Sequence, residues 1–285
     1  MKIRTLVKSD ASFPALLSEI HNCPKQLYVL GEPLDNLSPA IGVVGSRRPT
    51  PYGREVTKQI VTDLASRGVT IISGLALGID AIAHQTALDV GGRTIAVQAN
   101  GLDQTAPRTN RSLAINILKQ GGTIVSEFPE GMAPQPQFFA ARNRIISGLS
   151  DGVLITEAAE RSGSLITATF AMEQGRHVFA LPGNVTSLLS AGTNNLIKMG
   201  ATPVTNAQDV LIALGLEATD LRKGDVAAGS KHEAVLLDLI RNGVSDTVDL
   251  QVQSQFDSSA LNQTLSILEI SGRIKNIGAG KWIVL

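Results

Sequence analysis

Short apolar runs alternate with helix-length amphipathic segments between residues 40 and 215 of this chain. The runs are almost continuously apolar, which is typical of strands buried on both faces of a parallel sheet. They are Ile41–Gly45, Val69–Ile72, Thr94–Gln98, Thr123–Ser126, Gly152–Ile155, His177–Ala180 and Ala201–Val204. The segments between them predict helices over Tyr52–Ser66, Ile79–Asp89, Asn110–Lys119 and Ser164–Gln174. This alternation predicts an α/β domain with a doubly wound, mostly parallel sheet and right-handed crossovers.

The composition limits the kinds of protein that this chain can be. With 285 residues, 43% hydrophobic and 18% charged, we expect a soluble globular protein of one large or two unequal domains. The 25 basic and 25 acidic residues cancel, so any polyanion site has to be a local cluster made by folding. The one cysteine, Cys23, excludes a disulfide framework and a Cys-rich zinc site within one chain.

The sequence also bears on where the protein works. No apolar run reaches the roughly 18 residues that a membrane-spanning helix needs. The first residues, MKIRTLVKSD, lack the apolar centre of a signal peptide. We therefore expect a cytoplasmic protein with no membrane contact.

The apolar period lapses at residues 216–229, which we interpret as a linker. It separates a short N-terminal extension (1–40) and an α/β domain (41–215) from a C-terminal domain (230–285). In that last domain, helices predicted over 230–241, 245–253 and 258–269 precede a hairpin of residues 273–277 and 281–285, a pattern typical of a winged helix. The helix in the DNA-reading position has no Lys or Arg, and the domain has five basic residues against six acidic. Because strong duplex binding needs several basic phosphate contacts, we interpret the domain as a protein-interaction module.

Small and polar residues follow several strands of the predicted sheet. In doubly wound sheets, ligands bind beyond the carboxyl ends of the strands. One such loop carries little information, but their recurrence at one sheet edge favours a binding face. The candidate residues on it are Ser46, Arg47, Arg48, Gly74, Asn110, Arg111, Ser162, Gly163 and Ser164.

The segment from Gly42 to Arg54, GVVGSRRPTPYGR, indicates an anion site at this edge. A strand ends at Gly45, and Pro49 and Pro51 open a helix, whose first N–H groups and dipole attract anions. Ser46, Arg47 and Arg48 add a hydroxyl donor and two guanidinium groups suited to phosphate. The plain alternative is a βα turn with two solvated arginines.

A second candidate element is Phe138-Phe139-Ala-Ala-Arg142-Asn143-Arg144 on a predicted helix. Single strands of nucleic acid are held by basic grooves and by aromatic rings on which bases stack. Arg142 and Arg144 are expected to converge with Arg47 and Arg111 if the strand order permits. The alternative is that one or both phenylalanines belong to the core.

Motifs for other kinds of site do not match. The spacing after the first strand is not G-x-G-x-x-G, and no G-x-x-x-x-G-K-[ST] loop exists, so no dinucleotide cofactor or P-loop nucleotide is expected. The four histidines have no partners at metal-ligand spacing, so we expect no metal. Glu157, at a strand end, is the best candidate for a catalytic acid. A carboxylate that orients an Arg or backbone N–H groups is the favoured interpretation of that residue.

Several of these segments together resemble the DNA-processing protein A family (DprA, also called Smf). The resemblance rests on VVGSR at 43–47, SGLALGIDAIAH at 73–84, SEFP at 126–129, RNRIISGLSDGVLITEAAERSGSLITA at 142–168 and GTNNLI at 192–197. It implies an extended Rossmann-like domain that binds single-stranded DNA without sequence preference, protects incoming strands in natural transformation and delivers them to the RecA recombinase. It implies no enzymatic activity and no cofactor.

The resemblance also implies roles for particular residues. The DNA-contacting positions of the family fall on Arg47, Arg111, Phe139, Arg142 and Arg144. The family acts as dimers, and its self-association edge falls near 192–204, for which the candidates are Asn195, Leu196, Ile197 and Val204.

The sequence departs from the family pattern in three places. Ala106 stands before Pro107 where a Tyr is usual, and Ala140 follows Phe139 where a Pro is usual. The segment 187–195 is also altered, which weakens the assignment of the dimer edge. The family's N-terminal helical domain is reduced here to about 40 residues, so we expect contacts made through it to be reduced.

One enzyme remains as an alternative, a nucleotide phosphoribohydrolase resembling the lysine-decarboxylase-like family of the same fold type. That family has a P-G-G-x-G-T-x-x-E element. The corresponding segment here, EAAERSGSLITA, lacks the Gly-Gly pair and the last Glu. A scaffold that binds only proteins is the third possibility, and it would make the arginine face incidental.

Overall fold

The computed structural model describes residues 2–216, 231–270, 273–278 and 280–284. The chain divides into two compact units, and the boundary falls among residues 217–230. The predicted linker, beyond residue 216, therefore lies outside the described residues, as does Ser230.

The first unit contains a nine-stranded sheet with the spatial order β1-β2-β6-β5-β4-β3-β7-β8-β9. The strands are β1 (Arg4–Val7), β2 (Gln26–Gly31), β3 (Ala40–Val44), β4 (Thr70–Ser73), β5 (Thr94–Gln98), β6 (Thr123–Ser126), β7 (Gly152–Ile155), β8 (His177–Ala180) and β9 (Thr202–Pro203). Every pairing between two strands of the set β3 to β9 is parallel. The predicted α/β fold with a mostly parallel sheet is confirmed.

Helices follow the strands in the order that the sequence predicts. They are α1 (Ala15–Ser18), α2 (Pro51–Ser66), α3 (Ile79–Asp89), α4 (Arg111–Lys119), α5 (Pro136–Gly148), α6 (Gly163–Glu173), α7 (Ala191–Lys198) and α8 (Ala207–Ala213), with a 3₁₀ turn at Arg108–Asn110. Pro51 at the start of α2 has no N–H to leave unpaired, and Thr50 caps the helix by accepting from the Gly53 N–H.

The core has two layers because successive residues of a strand point to opposite faces. In β3, Ile41 and Val43 pack with α2 and α3, whereas Ala40 and Val44 pack with α5 and α6 on the other face. All residues of β3 are buried. The chain leaves β3 toward β4, β5 and β6 on one side and later adds β7, β8 and β9 on the other. This reversal of direction beside β3 is the switch point where doubly wound folds bind ligands.

Residues 1–40, which the sequence analysis treats as a short extension, contribute β1 and β2 to the same sheet. Both strands are antiparallel to their neighbours, with Val7 opposite Gln26 and Tyr28 opposite Ser126. Phe13 and Leu17 of this segment are buried in the main core. The segment therefore belongs to the first compact unit, and residue 41 does not mark a boundary between units.

The second unit contains α9 (Lys231–Arg241), α10 (Thr247–Ser254), α11 (Ser258–Ile270) and a hairpin of β10 (Ile274–Asn276) and β11 (Trp282–Val284). Leu236, Leu250, Leu265 and Trp282 belong to its core. The three helices and the hairpin lie where the sequence predicts them.

Candidate functional site

A cavity of about 460 Å³ opens at the carboxyl ends of β3 and β4, beside the switch point. Helices α5 and α6 form its other walls. It brings together many of the predicted site residues, namely Arg47, Phe139, Arg142, Asn143, Ser162, Gly163 and Ser164. We call it the switch-point cavity.

Arg47 and Phe139 meet at this cavity. The guanidinium carbon of Arg47 lies 5.8 Å from the centre of the Phe139 ring, within the range of a cation–π contact. Arg47 is exposed and Phe139 is half-buried, so both remain accessible. Two hydrogen bonds of the buried Ser46 hold the loop that carries Arg47. The Ser46 carbonyl accepts the Ile79 N–H at 3.1 Å, and the Ser46 Oγ accepts the Arg48 N–H at 3.1 Å.

Arg142 lines the cavity from inside the protein and is only 4% exposed. Its Nη1 donates to the Val97 carbonyl at 2.6 Å. Its guanidinium fills the space where Gly74 would carry a Cβ, so a larger residue at position 74 requires Arg142 to shift. Burial lowers the pKa of Arg142 to about 10, and the negative charge of Asp80 opposes this shift. The side chain is a buried cation that stays charged at neutral pH.

Asp80 is a cavity residue that the sequence analysis does not select. Its carboxylate accepts the Gly74 N–H at 3.0 Å. Burial raises the pKa of Asp80, and the positive charge of Arg142 works in the opposite direction. The sequence position of Asp80 could have indicated this role, because Asp80 lies in the first turn of α3, directly after the glycine-containing loop that follows β4.

The start of α6 forms a polar wall of the cavity. Ser162 caps the helix by accepting the Ser164 N–H at 3.3 Å, and the Asn143 amide donates to the Gly163 carbonyl at 3.2 Å. Thr167, one turn along, is buried in this wall, and its Oγ1 has no hydrogen-bond partner in the described part of the chain. Arg142 Nε is likewise unpaired. Buried polar atoms of this kind bind water or a ligand.

Glu157 has the structural role that the sequence analysis favours. Its Oε2 accepts the Thr50 N–H at 2.9 Å, and its Oε1 accepts the Thr50 hydroxyl. The carboxylate therefore occupies the start of α2, where the sequence analysis places an anion site. An external phosphate at this edge would have to bind at the side chains of the Arg47 loop instead, because a protein carboxylate already fills the helix N-terminus.

Arg144 does not join the cavity, and this part of the predicted convergence is wrong. Its Nη2 donates to both carboxylate oxygens of Glu127 at 2.7 and 2.8 Å, and its Nε donates to the Asn22 carbonyl at 2.9 Å. Residues two apart on a helix differ in direction by about 200°, so Arg142 and Arg144 project to opposite sides of α5. Arg144 instead lines a separate cleft.

Three further predicted residues lie along the same sheet edge, outside the lining of the cavity. Arg48 and Arg111 are exposed. Asn110 uses its amide to hold the carbonyls of Leu75 and Ala76 at 2.8 and 3.1 Å, so it shapes the loop after β4. Arg111 is the first residue of α4, two strands away from Arg47 in the sheet.

The predicted dimer-edge residues separate into two groups. Val204 is fully buried and Leu196 is 5% exposed, and both pack in the core of their own unit. Their side chains therefore cannot contact a second copy, and that part of the assignment is revised. Asn195 is exposed and Ile197 half-buried, and they remain candidates.

His84 is fully buried below the cavity. Its Nδ1 and Thr94 Oγ1 lie 2.7 Å apart, and burial lowers its pKa to about 3, with the charge of Arg142 acting in the same direction. The ring is neutral at physiological pH. In the described ranges, no group of His, Cys, Asp or Glu side chains is arranged to hold a metal ion, and no helix is long and apolar enough to cross a membrane.

The fold and the cavity define the class of this protein, a doubly wound α/β protein with a partly cationic cavity at its switch point. Residues 4–215 match the family model for the DNA recombination-mediator protein A. The chain belongs to this family.

Curated relatives and solved structures agree with this assignment. The chain is 49% identical to Protein Smf of Escherichia coli over 207 residues, which cover 72% of this chain and 55% of that protein. It is 45% identical to the DNA processing protein DprA of Streptococcus pneumoniae over 203 residues, 71% of each chain. The match thus spans little more than half the length of the Escherichia coli relative.

Two solved structures have the same fold over most of the first unit. The X-ray structure of DprA from Streptococcus pneumoniae superimposes with a TM-score of 0.69 at 43% identity, covering 74% of both chains. A structure of DprA from Helicobacter pylori, whose description concerns a single-stranded DNA binding mode, has a TM-score of 0.67 at 34% identity. It covers 75% of this chain and 95% of that one.

Proposed function

We propose that this protein binds single-stranded DNA along the carboxyl edge of its sheet, with the switch-point cavity as the main contact. The observation that carries the proposal is the pairing of Arg47 with Phe139 at the cavity. A guanidinium group suits phosphate, and an aromatic ring that is only half-buried suits a base, which together are the two elements of single-strand binding. The Helicobacter pylori relative, described as binding single-stranded DNA, supports this choice of ligand.

The positions of the other charges support an extended ligand. Arg48 and Arg111 are exposed at the same edge as Arg47, Arg48 on the loop after β3 and Arg111 at the start of α4 after β5. A mononucleotide in the cavity would not need Arg111, whereas a strand running along the edge would contact it. Binding through phosphates and stacking depends little on base identity, so we propose no sequence preference.

The cellular role is proposed on the family resemblance. The protein would protect incoming strands in natural transformation and deliver them to the RecA recombinase, in the cytoplasm and without enzymatic activity. Self-association through the α7 edge is part of this proposal. Sedimentation of the full chain tests it, with Ile197→Asp expected to shift a dimer toward monomer. A monomeric wild-type protein at micromolar concentration would contradict it.

The direct test of DNA binding is an anisotropy titration of labelled oligo-dT at two salt concentrations. We expect binding that weakens steeply with salt, because counterions are released from the strand. A protein that does not bind at low salt would contradict the proposal.

The enzyme alternative is favoured by one observation, a cavity of about 460 Å³ that holds unpaired buried polar atoms. The observation against the enzyme alternative is that Glu157, the candidate catalytic acid, accepts a hydrogen bond from the Thr50 N–H at the start of α2. Incubation with nucleoside monophosphates tests the alternative, which requires release of free base.

For the second unit we propose a protein-contact role. The exposed residues of α11 include Ser259, Asn262, Gln263, Ser266 and Glu269, none of them basic. On the hairpin side, Arg273 forms an ion pair with Glu233 at 3.5 Å. Lys275 and Lys281 are the exposed cations of the hairpin side. Because we propose that this unit contacts protein and not DNA, the variant Lys275→Ala/Lys281→Ala is expected to keep single-strand affinity in the full chain. A large loss of affinity would indicate that this unit binds DNA.

A further inference from the structure

A second cleft lies at the same sheet edge as the switch-point cavity, on the far side of α5. It measures about 530 Å³ and is lined by Asn22, Cys23, Lys25, Gln26, Glu127 and Arg144. Most of this lining comes from residues 1–40, the segment that the sequence analysis sets aside. We call it the N-terminal cleft.

The strand register explains why this segment reaches the edge. Strand β2 is antiparallel to β6, so the start of β2 lies beside the carboxyl end of β6. Strand β1 is antiparallel to β2, with Val7 opposite Gln26. The residues after β1 and before β2, Lys8 and Lys25, are therefore brought to the edge that carries Arg111 and Arg47.

The charges of the cleft favour an anion. Arg144 and Glu127 neutralise each other through a bidentate ion pair. Lys8 and Lys25 are exposed, and no carboxylate within residues 2–216 lies within 4 Å of either ammonium group. The nearby Asp10 is turned back on its own chain and accepts the Val7 N–H at 2.9 Å. Two cations without ion-pair partners thus remain.

Lys25 lines the cleft, and the surroundings of Cys23 indicate that Lys8 lies near it. Burial raises the pKa of the Cys23 thiol, while the positive charges of Lys8 and Arg144 act in the opposite direction. Lys8 does not line the cleft itself, but its charge acts on a residue that does. Asn22 and Gln26 add amide groups that can bind phosphate oxygens.

The distance between the two sites suits one continuous strand. In the sheet, β2 and β3 are separated by β6, β5 and β4. At about 4.8 Å per strand, Lys25 before β2 and Arg47 after β3 are roughly 19 Å apart along the edge. A strand of several nucleotides spans this distance, with Arg111, the first residue of α4 after β5, between the two sites.

We propose that the N-terminal cleft is a second phosphate subsite, in which Lys8 and Lys25 bind the backbone of a single strand held in the switch-point cavity. This inference rests on the proposed function. It adds that the bound DNA strand runs along the sheet edge from β3 toward β1, and that residues 1–40 extend the binding site.

The test compares two oligo-dT lengths, about 2 and about 20 nucleotides, of which only the longer exceeds the single-strand site sizes of about 4–16 nucleotides and reaches both sites. The variant Lys8→Ala/Lys25→Ala is expected to bind the long strand about tenfold more weakly, with the slope of log K against log salt reduced by about 1.4. Its affinity for the short strand should be unchanged. The matched control is Lys119→Ala, since Lys119 is exposed at the end of α4, on the opposite edge of the sheet.

The outcomes separate this inference from the proposed function. If wild type and the double variant bind the long strand with equal affinity and slope, the subsite is wrong while the switch-point cavity stands. An equal loss for both lengths also overturns it, because the lysines would then act on the cavity and not on a distal part of the strand. If wild type binds neither length, the proposed function itself fails.

Discussion

The guanidinium of Arg47 lies over the ring of Phe139, 5.8 Å from its centre. The two residues come from different elements, the loop after β3 and the first turn of α5, and they meet only because both border the switch-point cavity. Their contact places a phosphate-binding group and a stacking surface side by side.

We predict that Phe139→Ala weakens oligo-dT binding by about 1–3 kcal/mol, the range found for loss of one stacked base. Phe139→Trp should retain binding. The control is Phe138→Leu, because the Phe138 ring packs on Phe128 with centres 4.2 Å apart. That variant should lose some stability but little affinity. Anisotropy titrations of the three variants decide the matter, and equal affinity for Phe139→Ala and wild type would count against stacking.

Gly74→Ala should destabilise the protein by about 1–3 kcal/mol, since its Cβ overlaps the buried Arg142 guanidinium. The comparison is Gly163→Ala, where a Cβ meets no atom within 4 Å. Urea unfolding followed by circular dichroism measures both. Similar stability of the two variants would show that Arg142 moves aside freely.

Glu157→Ala should cost about 1–3 kcal/mol of stability, because the half-buried Thr50 N–H loses its acceptor, the carboxylate of the buried Glu157. DNA affinity should change far less than stability. Urea unfolding measures the stability. If Glu157→Ala instead unfolded like wild type but lost release of free base from nucleoside monophosphates, Glu157 would be a catalytic acid.

The buried His84 predicts a pH dependence of stability. Its pKa is about 3 in the folded protein, below the ordinary 6.5, so only the unfolded chain takes up this proton between those values. Stability contributed by the neutral ring is present above pH 6.5 and is lost as pH falls toward 3. Asp80, whose pKa is raised, contributes with the opposite sign, so the comparison must be between wild type and a variant.

For that comparison we choose His84→Gln. Between pH 7 and pH 5, wild type should lose up to about 2 kcal/mol more than the variant, from 1.36 kcal/mol per pH unit over the range below 6.5. Urea unfolding at the two pH values measures it. Equal losses would show that the ring takes up its proton over the same pH range in the folded state as in the unfolded chain.

The sequence was sufficient to predict the parallel sheet and most strand bounds, because buried strands such as Thr94–Gln98 are apolar without interruption. It also predicted that Arg47 and Ser162 lie at one edge, since both follow strands of a parallel sheet, whereas the approach of the α5 residues to Arg47 depended on the strand order. The N-terminal strands were missed because β1 is mostly exposed and β2 alternates between buried and half-buried residues, so neither has the continuous apolar signature of the others.

The helix faces were the harder problem. Arg142 and Arg144 have the same chemistry and lie two residues apart, yet one is buried beside Gly74 and the other pairs with Glu127. Which side of α5 faces the cavity depends on packing against β5, which no local pattern shows. Asp80 and Thr167 were missed for the same reason, because their role comes from burial next to a cavity.

The most direct test of the account is the salt dependence of oligo-dT binding by wild type, Arg47→Ala and the control Lys119→Ala, each at several salt concentrations. We predict that Arg47→Ala binds about tenfold more weakly and lowers the slope of log K against log salt by about 0.7, the value for one lost phosphate contact on a single strand. Lys119→Ala should match wild type. If Arg47→Ala kept both the affinity and the slope of wild type, the switch-point cavity would not be the DNA-binding site.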